Sequence, residues 1–234
     1  IMKELGVVLS SGGLDSSTLL GYIVSKLGAE NVISLSIHYG QKHDTELIAT
    51  NNIANYYNVK HITIDLSTVF SFSNSSLMKN STQEISHKSY KEQIDESGIV
   101  STYIPFRNGL FLSTAASIAM SHLDTNQWDK ATIYIGTHSD DSAGNAYPDC
   151  TTEFTDNMGN AIYLGTYNKV SIQAPFLTFH KKDIVTIGLK LGVPYELTYS
   201  CYEGHTLSCG ECATCLDRLR AFELNNVKDP IPYK

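Results

Sequence analysis

Apolar residues recur along this chain in two alternating rhythms. Short apolar runs at residues 6–9, 32–37, 131–135 and 170–174, and an alternating one at 61–66, have the length of strands. Between them the apolar positions shift to helical spacing. Residues 18–27 carry Leu19, Leu20, Ile23, Val24 and Leu27, and residues 44–57 carry Leu47, Ile48, Ile53 and Ala54. Further helices are predicted from just after Asn108 to His122, over 151–164 and over 181–191. Strand and helix in alternation predict βαβ units with right-handed crossovers, hence an α/β fold built on a doubly wound parallel sheet. Ligands of such sheets sit beyond the strands' C-terminal ends. The stretch 70–98 breaks the rhythm, being rich in Ser, Asn, Lys and Glu. It reads as an insertion or lid, or equally as a surface loop too polar to bury much area. We place the main domain at 1–195 and a small appendage at 196–234.

The first predicted strand ends at Leu9 and runs into Ser10-Ser11-Gly12-Gly13-Leu14-Asp15-Ser16-Ser17. A buried strand that breaks into small residues and then starts a helix aims backbone N–H groups at one point, which attracts phosphate. Ser11, Ser16 and Ser17 add hydroxyl donors. A kinase-type P-loop is excluded, because no lysine occurs between Lys3 and Lys26. The dinucleotide fingerprint fails too, since the two glycines are adjacent. The order Ser-Gly-Gly-x-Asp-Ser resembles the signature of the PP-loop ATP pyrophosphatases, which adenylate a substrate and release pyrophosphate. That resemblance implies nucleotide contacts from Leu9 through Ser17 and an ATP substrate. An ordinary capped helix start is the plainer alternative.

With 234 residues and 42% hydrophobic content the chain is long enough for one well-buried α/β domain. Its net charge of −7 gives no general attraction to nucleic acid or anionic lipid. No run approaches the roughly 18 apolar residues of a membrane helix, so a cytoplasmic setting is expected. Four of the five cysteines fall close together as Cys201, Cys209, Cys212 and Cys215. Four thiolates with two-residue gaps suit a closed tetrahedral zinc site. Disulfides are disfavoured in a cytosolic chain, and an iron–sulfur cluster is the sharper rival. His205 lies inside the cluster and could replace one cysteine, though a solvated loop residue is the simpler reading. Cys150 stands apart and reads as a small core residue.

Loop and cysteine cluster together make the chain resemble the 7-cyano-7-deazaguanine synthase family over nearly its whole length. The residues that carry the likeness are Ser11-Gly12-Gly13-Leu14-Asp15-Ser16, Tyr39-Gly40-Gln41-Lys42-His43, Ser101-Thr102-Tyr103-Ile104-Pro105, Arg107-Asn108, Tyr147-Pro148-Asp149-Cys150, Ser200-Cys201-Tyr202 and Gly210-Glu211-Cys212-Ala213-Thr214-Cys215. The resemblance implies that 7-carboxy-7-deazaguanine is adenylated twice, once as the acid and once as the amide formed with ammonia, to leave a nitrile. Asp15 would lie near Mg²⁺, and Lys181 would neutralise phosphate charge unless it is merely a solvated helix-start lysine. Arg107 could grip a carboxylate or phosphate, and Asn108 or Asp149 could read the guanine-like edge. An Arg-Asn pair is as readily a helix cap with an ion pair. Gln41 and Lys42 follow the second strand, where a parallel sheet puts its ligands.

Three features depart from the family's usual pattern. They are Phe106 in place of a small residue, Tyr199 in place of a Trp, and a longer segment at 138–146. Relatives in antiviral systems join the same activated acid to other amines, so a ligase acting on a partner protein is a second reading. A zinc-ribbon module that binds nucleic acid is a third, carried only by Arg218 and Arg220 after the cysteines. No glutaminase domain fits in the length, so ammonia would come free or from a partner, and a homodimer is compatible with the family.

Overall fold

The computed structural model describes residues 2–86, 88, 90–125, 127–142, 146–204 and 206–234. In chain order its elements are β1 (Glu4–Leu9), α1 (Leu14–Leu27), β2 (Val32–His38), α2 (Thr45–Tyr56), β3 (Lys60–Asp65), α3 (Ser67–Phe70), α4 (Tyr90–Ser97), α5 (Arg107–Leu123), β4 (Lys130–Tyr134), α6 (Ser139–Ser142), α7 (Thr152–Gly165), β5 (Val170–Gln173), α8 (Lys181–Leu191) and α9 (Ala213–Glu223). Each predicted strand forms, to within two residues at its ends.

All five strands are parallel, in the order β3-β2-β1-β4-β5. Val7 of β1 sits beside Ile33 of β2 on one side and Ile133 of β4 on the other. A middle strand covered on both faces needs apolar residues at successive positions, which is why 5–9 reads as a run rather than an alternation. One face packs Leu5, Val7, Leu35 and Ile133 against Leu112, Ala115 and Ala119 of α5 and Ile162 of α7. The other packs Val8 against Leu19, Leu20 and Ile23 of α1, Ile184 and Val185 of α8, and Ala221 and Phe222 of α9. Burial of one such Leu or Ile side chain contributes about 1.5–3 kcal/mol. The strand order reverses between β1 and β4, and the crevice there faces the N-termini of α1, α5 and α8.

Three elements differ from expectation. Helix α1 starts at Leu14, four residues before the predicted 18, so Asp15, Ser16 and Ser17 lie in its first turn rather than in a loop. The apolar periodicity begins only at Leu19, and the polar but buried Ser16, Ser17 and Thr18 hid the start. Residues 70–98 are not a loose loop where described: they contain α4, bury Phe70, Met78 and Ile85, and pair Met78 with Gln41. Buried Gln93 ties this stretch down, accepting from the Ser101 N–H at 3.0 Å and donating to the Lys88 carbonyl at 2.9 Å. Finally, α9 begins within the cysteine cluster, capped by Cys212 and carrying Cys215, where the spacing suggests only a metal-binding segment.

Candidate active site

The loop after β1 is held in shape by its own serines. Ser16 Oγ accepts the Ser11 N–H at 3.1 Å and lies 3.0 Å from Ser11 Oγ. Gly12 has φ +75°, and a Cβ there would stand 2.5 Å from the Glu46 carbonyl oxygen and 2.8 Å from Thr50 N. Only glycine fits so close to α2, apart from its tolerance of positive φ. The C-terminal segment closes over the same turn. Tyr199 N–H donates to the Gly12 carbonyl at 2.9 Å, and Leu14 N–H donates to Ser200 Oγ at 3.3 Å.

These contacts leave a cleft of about 260 Å³ at the crevice between β1 and β4. Of the residues predicted from sequence, Leu9, Ser10, Ser11, Gly13, Leu14, Asp15, Ser16, Gln41, Lys42, Arg107, Asn108 and Lys181 line it. Gly12 and Ser17 lie behind that surface and shape the turn. Asp149 is buried and does not line the cleft. Its Oδ2 accepts the Asn108 N–H at 2.9 Å, and Asn108 Nδ2 donates to the Asp149 carbonyl at 3.2 Å. Each side chain thus bonds the other residue's backbone at the start of α5.

At the phosphate end, Asp15 Oδ2 lies 3.5 Å from Lys181 Nζ and 3.6 Å from His138 Nε2. Burial pushes the Asp15 carboxyl up, but Lys181 and His138 outweigh it and hold the group well below the usual carboxylate range. It is therefore ionised at neutral pH. Its Oδ1 is buried with no hydrogen-bond partner among the described residues. A buried carboxylate oxygen left open beside the turn after β1 fits a hard divalent cation such as Mg²⁺. Asp140 Oδ2 accepts the Lys181 N–H at 2.9 Å, and Asp140 Oδ1 lies 2.7 Å from His180 Nδ1, which fixes the start of α8. His138 and Asp140 belong to the segment that is longer than the family's usual one; His138 lies beside Asp15, and Asp140 lies 3.7 Å from His138 Nδ1. Residues 143–145 of that segment lie outside the described residues.

The other end of the cleft is built by α5 and the loop after β2. The Arg107 guanidinium lies 5.6 Å from the Tyr39 ring centre and 6.0 Å from that of Phe111. Gln41 Oε1 accepts the Tyr39 N–H at 2.9 Å, and Lys42 Nζ donates to the Gln83 carbonyl at 3.4 Å. Leu77, from the packed 70–98 stretch, completes this wall. Among the departures, Tyr199 lines the cleft, whereas Phe106 is exposed, at φ +54°, with its ring against Phe154.

Sequence reasoning missed two side chains of consequence: Glu46, which lines the cleft, and His138, which is buried beside Asp15. Glu46 is half-buried in the second position of α2, and burial raises its carboxyl to about 7 although Arg107 draws it down. A Glu in the first turn of an amphipathic helix looks like an ordinary surface residue, so no sequence signal marked it.

The four sulfurs of Cys201, Cys209, Cys212 and Cys215 lie within 4.8 Å of one another, with Cys209 Sγ and Cys215 Sγ at 3.9 Å. Thiolates about 2.3 Å from one tetrahedral ion would stand about 3.8 Å apart, so the donor set fits a single metal. Backbone N–H groups of Glu211 and Cys212 point at Cys209 Sγ, as metal-bound thiolates require. An iron–sulfur cube would spread its cysteines over separate irons. His205 lies outside the described residues. Cys150 is buried and accepts from Asn108 Nδ2 at 3.2 Å. Arg218 is buried in a two-pronged pair with Asp229, at 2.7 and 3.0 Å, and is closed to a phosphate backbone. That removes half of the support for a nucleic-acid module.

The sequence profile of the family described as queuosine biosynthesis protein QueC matches residues 5–226. A 7-cyano-7-deazaguanine synthase of Thermoplasma volcanium is 42% identical, over 99% of this chain and 92% of its own. One of Pseudoalteromonas atlantica is 40% identical over the whole of both chains. Among solved structures, an NH3-dependent NAD synthetase of Campylobacter jejuni superposes with a TM-score of 0.46 at 12% identity, over 84% of this chain and 69% of that one. Among the described residues no helix is long and apolar enough to cross a membrane.

Proposed function

The chain belongs to the queuosine biosynthesis protein QueC family, and from that premise we propose that its cleft converts 7-carboxy-7-deazaguanine, ATP and ammonia into the 7-cyano compound. The observation that carries this reading is that one cleft joins the phosphate-binding turn, with Asp15 and Lys181, to Arg107 at its other end. A free carboxylate resists attack because its charge repels nucleophiles and oxide leaves badly. Its oxygen therefore displaces pyrophosphate from the α-phosphorus of ATP to give an acyl adenylate. Ammonia adds to the acyl carbon, AMP leaves with one carboxylate oxygen, and the amide remains. The amide oxygen then displaces a second pyrophosphate. Loss of AMP with that oxygen, and of protons from nitrogen, leaves the nitrile.

Each residue's part follows from its position. The N-terminus of α1 and Lys181 Nζ carry positive charge toward the departing pyrophosphate. Asp15 would hold Mg²⁺, which neutralises phosphate charge when bound. Arg107 neutralises the acid's carboxylate as it approaches the nucleotide. Tyr39, Phe111, Leu35 and Ile37 give a flat bicyclic base apolar walls. The four cysteines would hold Zn²⁺ in a closed set that supplies folding energy rather than chemistry.

The test is mass spectrometry of a reaction with the acid, ATP, Mg²⁺ and ammonium. Two AMP and two pyrophosphate per nitrile are expected. Adenylation that halts before any nitrile would instead favour delivery of the acid to an amine of a partner protein. No AMP from the deazaguanine acid would overturn the proposal.

A further inference from the structure

Three carboxylates lie near enough to this cleft to read a guanine-like base, and two are already committed. Asp15 is held by Lys181 and His138 at the phosphate end, and Asp149 is spent on the N–H of Asn108. Glu46 remains. It lines the cleft on the first turn of α2, shares the wall with Tyr39 and Arg107, and its carboxyl accepts no hydrogen bond among the described residues. Its ion pair with Arg107 is not closed, since no N–O contact within 4 Å joins them. A half-buried carboxyl kept open inside a binding cleft is costly unless a ligand supplies donors.

The base of the proposed substrate has such donors. N1–H and the exocyclic 2-amino group of a guanine-like ring lie side by side and point the same way, a match for the two oxygens of one carboxylate. The acid group is carried on the opposite side of the bicycle. A ring lying beside Tyr39 and Phe111 can thus turn its acid toward the nucleotide, at the Asp15 and Lys181 end, while its amidine face meets Glu46. We propose that Glu46 is the specificity-determining residue that reads this N1–H and 2-amino face. The inference rests on the proposed function and names the base-recognition element of that same cleft. Burial agrees with it, because it holds the free group part-protonated near neutrality and donors would draw it to the ionised form.

The experiment compares 7-carboxy-7-deazaguanine with its 2-deamino analogue in ATP-dependent AMP formation, using the full chain. Wild type should prefer the 2-amino acid by at least about tenfold in kcat/KM, the effect of one charged hydrogen bond. Glu46→Ala should bring the two acids within about threefold of each other, mainly by slowing the 2-amino acid. Glu46→Gln, which keeps the shape and one acceptor, should fall between. ATP affinity, measured alone, should stay within about threefold in both variants, which also shows that they fold. Unchanged discrimination in Glu46→Ala would overturn the assignment, as would an absence of discrimination in wild type. So would loss of ATP affinity in the variants, which would place Glu46 on the nucleotide side. If wild type forms no AMP from either acid, the proposed function fails first and this inference falls with it.

Discussion

At the scale of single residues, the cleft holds one carboxylate paired with cations, Asp15, and one carboxyl, Glu46, with no ion-pair partner among the described residues. Lys181 holds Asp15 ionised, so Lys181→Met should lower pyrophosphate release by about 100-fold or more while the fold persists by circular dichroism. Activity within threefold of wild type would remove Lys181 from the chemistry. Glu46 behaves in the opposite sense. Its folded value of about 7 exceeds the ordinary 4.5, so the native state binds more protons than the unfolded chain between those limits. Stability therefore falls as pH rises across that window, and Glu46→Gln should flatten the fall. Urea midpoints at pH 5 and pH 8 measure it; equal slopes in wild type and variant would refute the burial. Asp15 and Lys181 were legible in the sequence because a contiguous motif and a helix start marked them. His138 and Glu46 were not, because each acquires meaning only from neighbours far away along the chain.

At the scale of elements, the segment from Thr198 to Cys201 links the cysteine cluster to the turn after β1. Arg218 on α9 donates to Thr198 Oγ1 at 2.7 Å and to Ser200 Oγ at 3.4 Å, and Ser200 Oγ in turn accepts the Leu14 N–H. Cys201 follows directly. If the four cysteines hold a metal as proposed, chelating it should therefore lower the melting temperature and ATP affinity together. A drop in stability with unchanged ATP affinity would separate the cluster from the turn. Arg218→Ala strands the buried Asp229 carboxylate and should cost about 3–5 kcal/mol. Arg220→Ala, on the exposed face, should stay within about 0.5 kcal/mol by urea denaturation. The sequence could not tell these two arginines apart. Both follow the cysteines at similar distance, and only the turn of α9 buries one and exposes the other.

At the scale of the whole molecule, Ala221 and Phe222 sit in the same core as Leu19 of α1 and Ile184 of α8. The cysteine segment is thus part of the main core's packing and not merely appended to it. A chain cut after residue 195 should be unstable or aggregated, and a soluble cooperative fragment by thermal unfolding would disprove that. What the sequence determined by itself was the order of the strands and main helices, the parallel sheet and the contiguous motifs that line the cleft and gather the four cysteines. Periodicity, turn residues and cysteine spacing are local signals, and they survive without knowledge of the fold. Tertiary structure alone decided that Asp149 caps α5 while Glu46 faces the cleft, and that His138 joins Asp15 across 123 positions. It also decided that the polar stretch at 70–98 supplies a wall. Those outcomes depend on which side chains the strand order brings together, and burial and charge act on the assembled neighbours rather than on the order of residues along the chain.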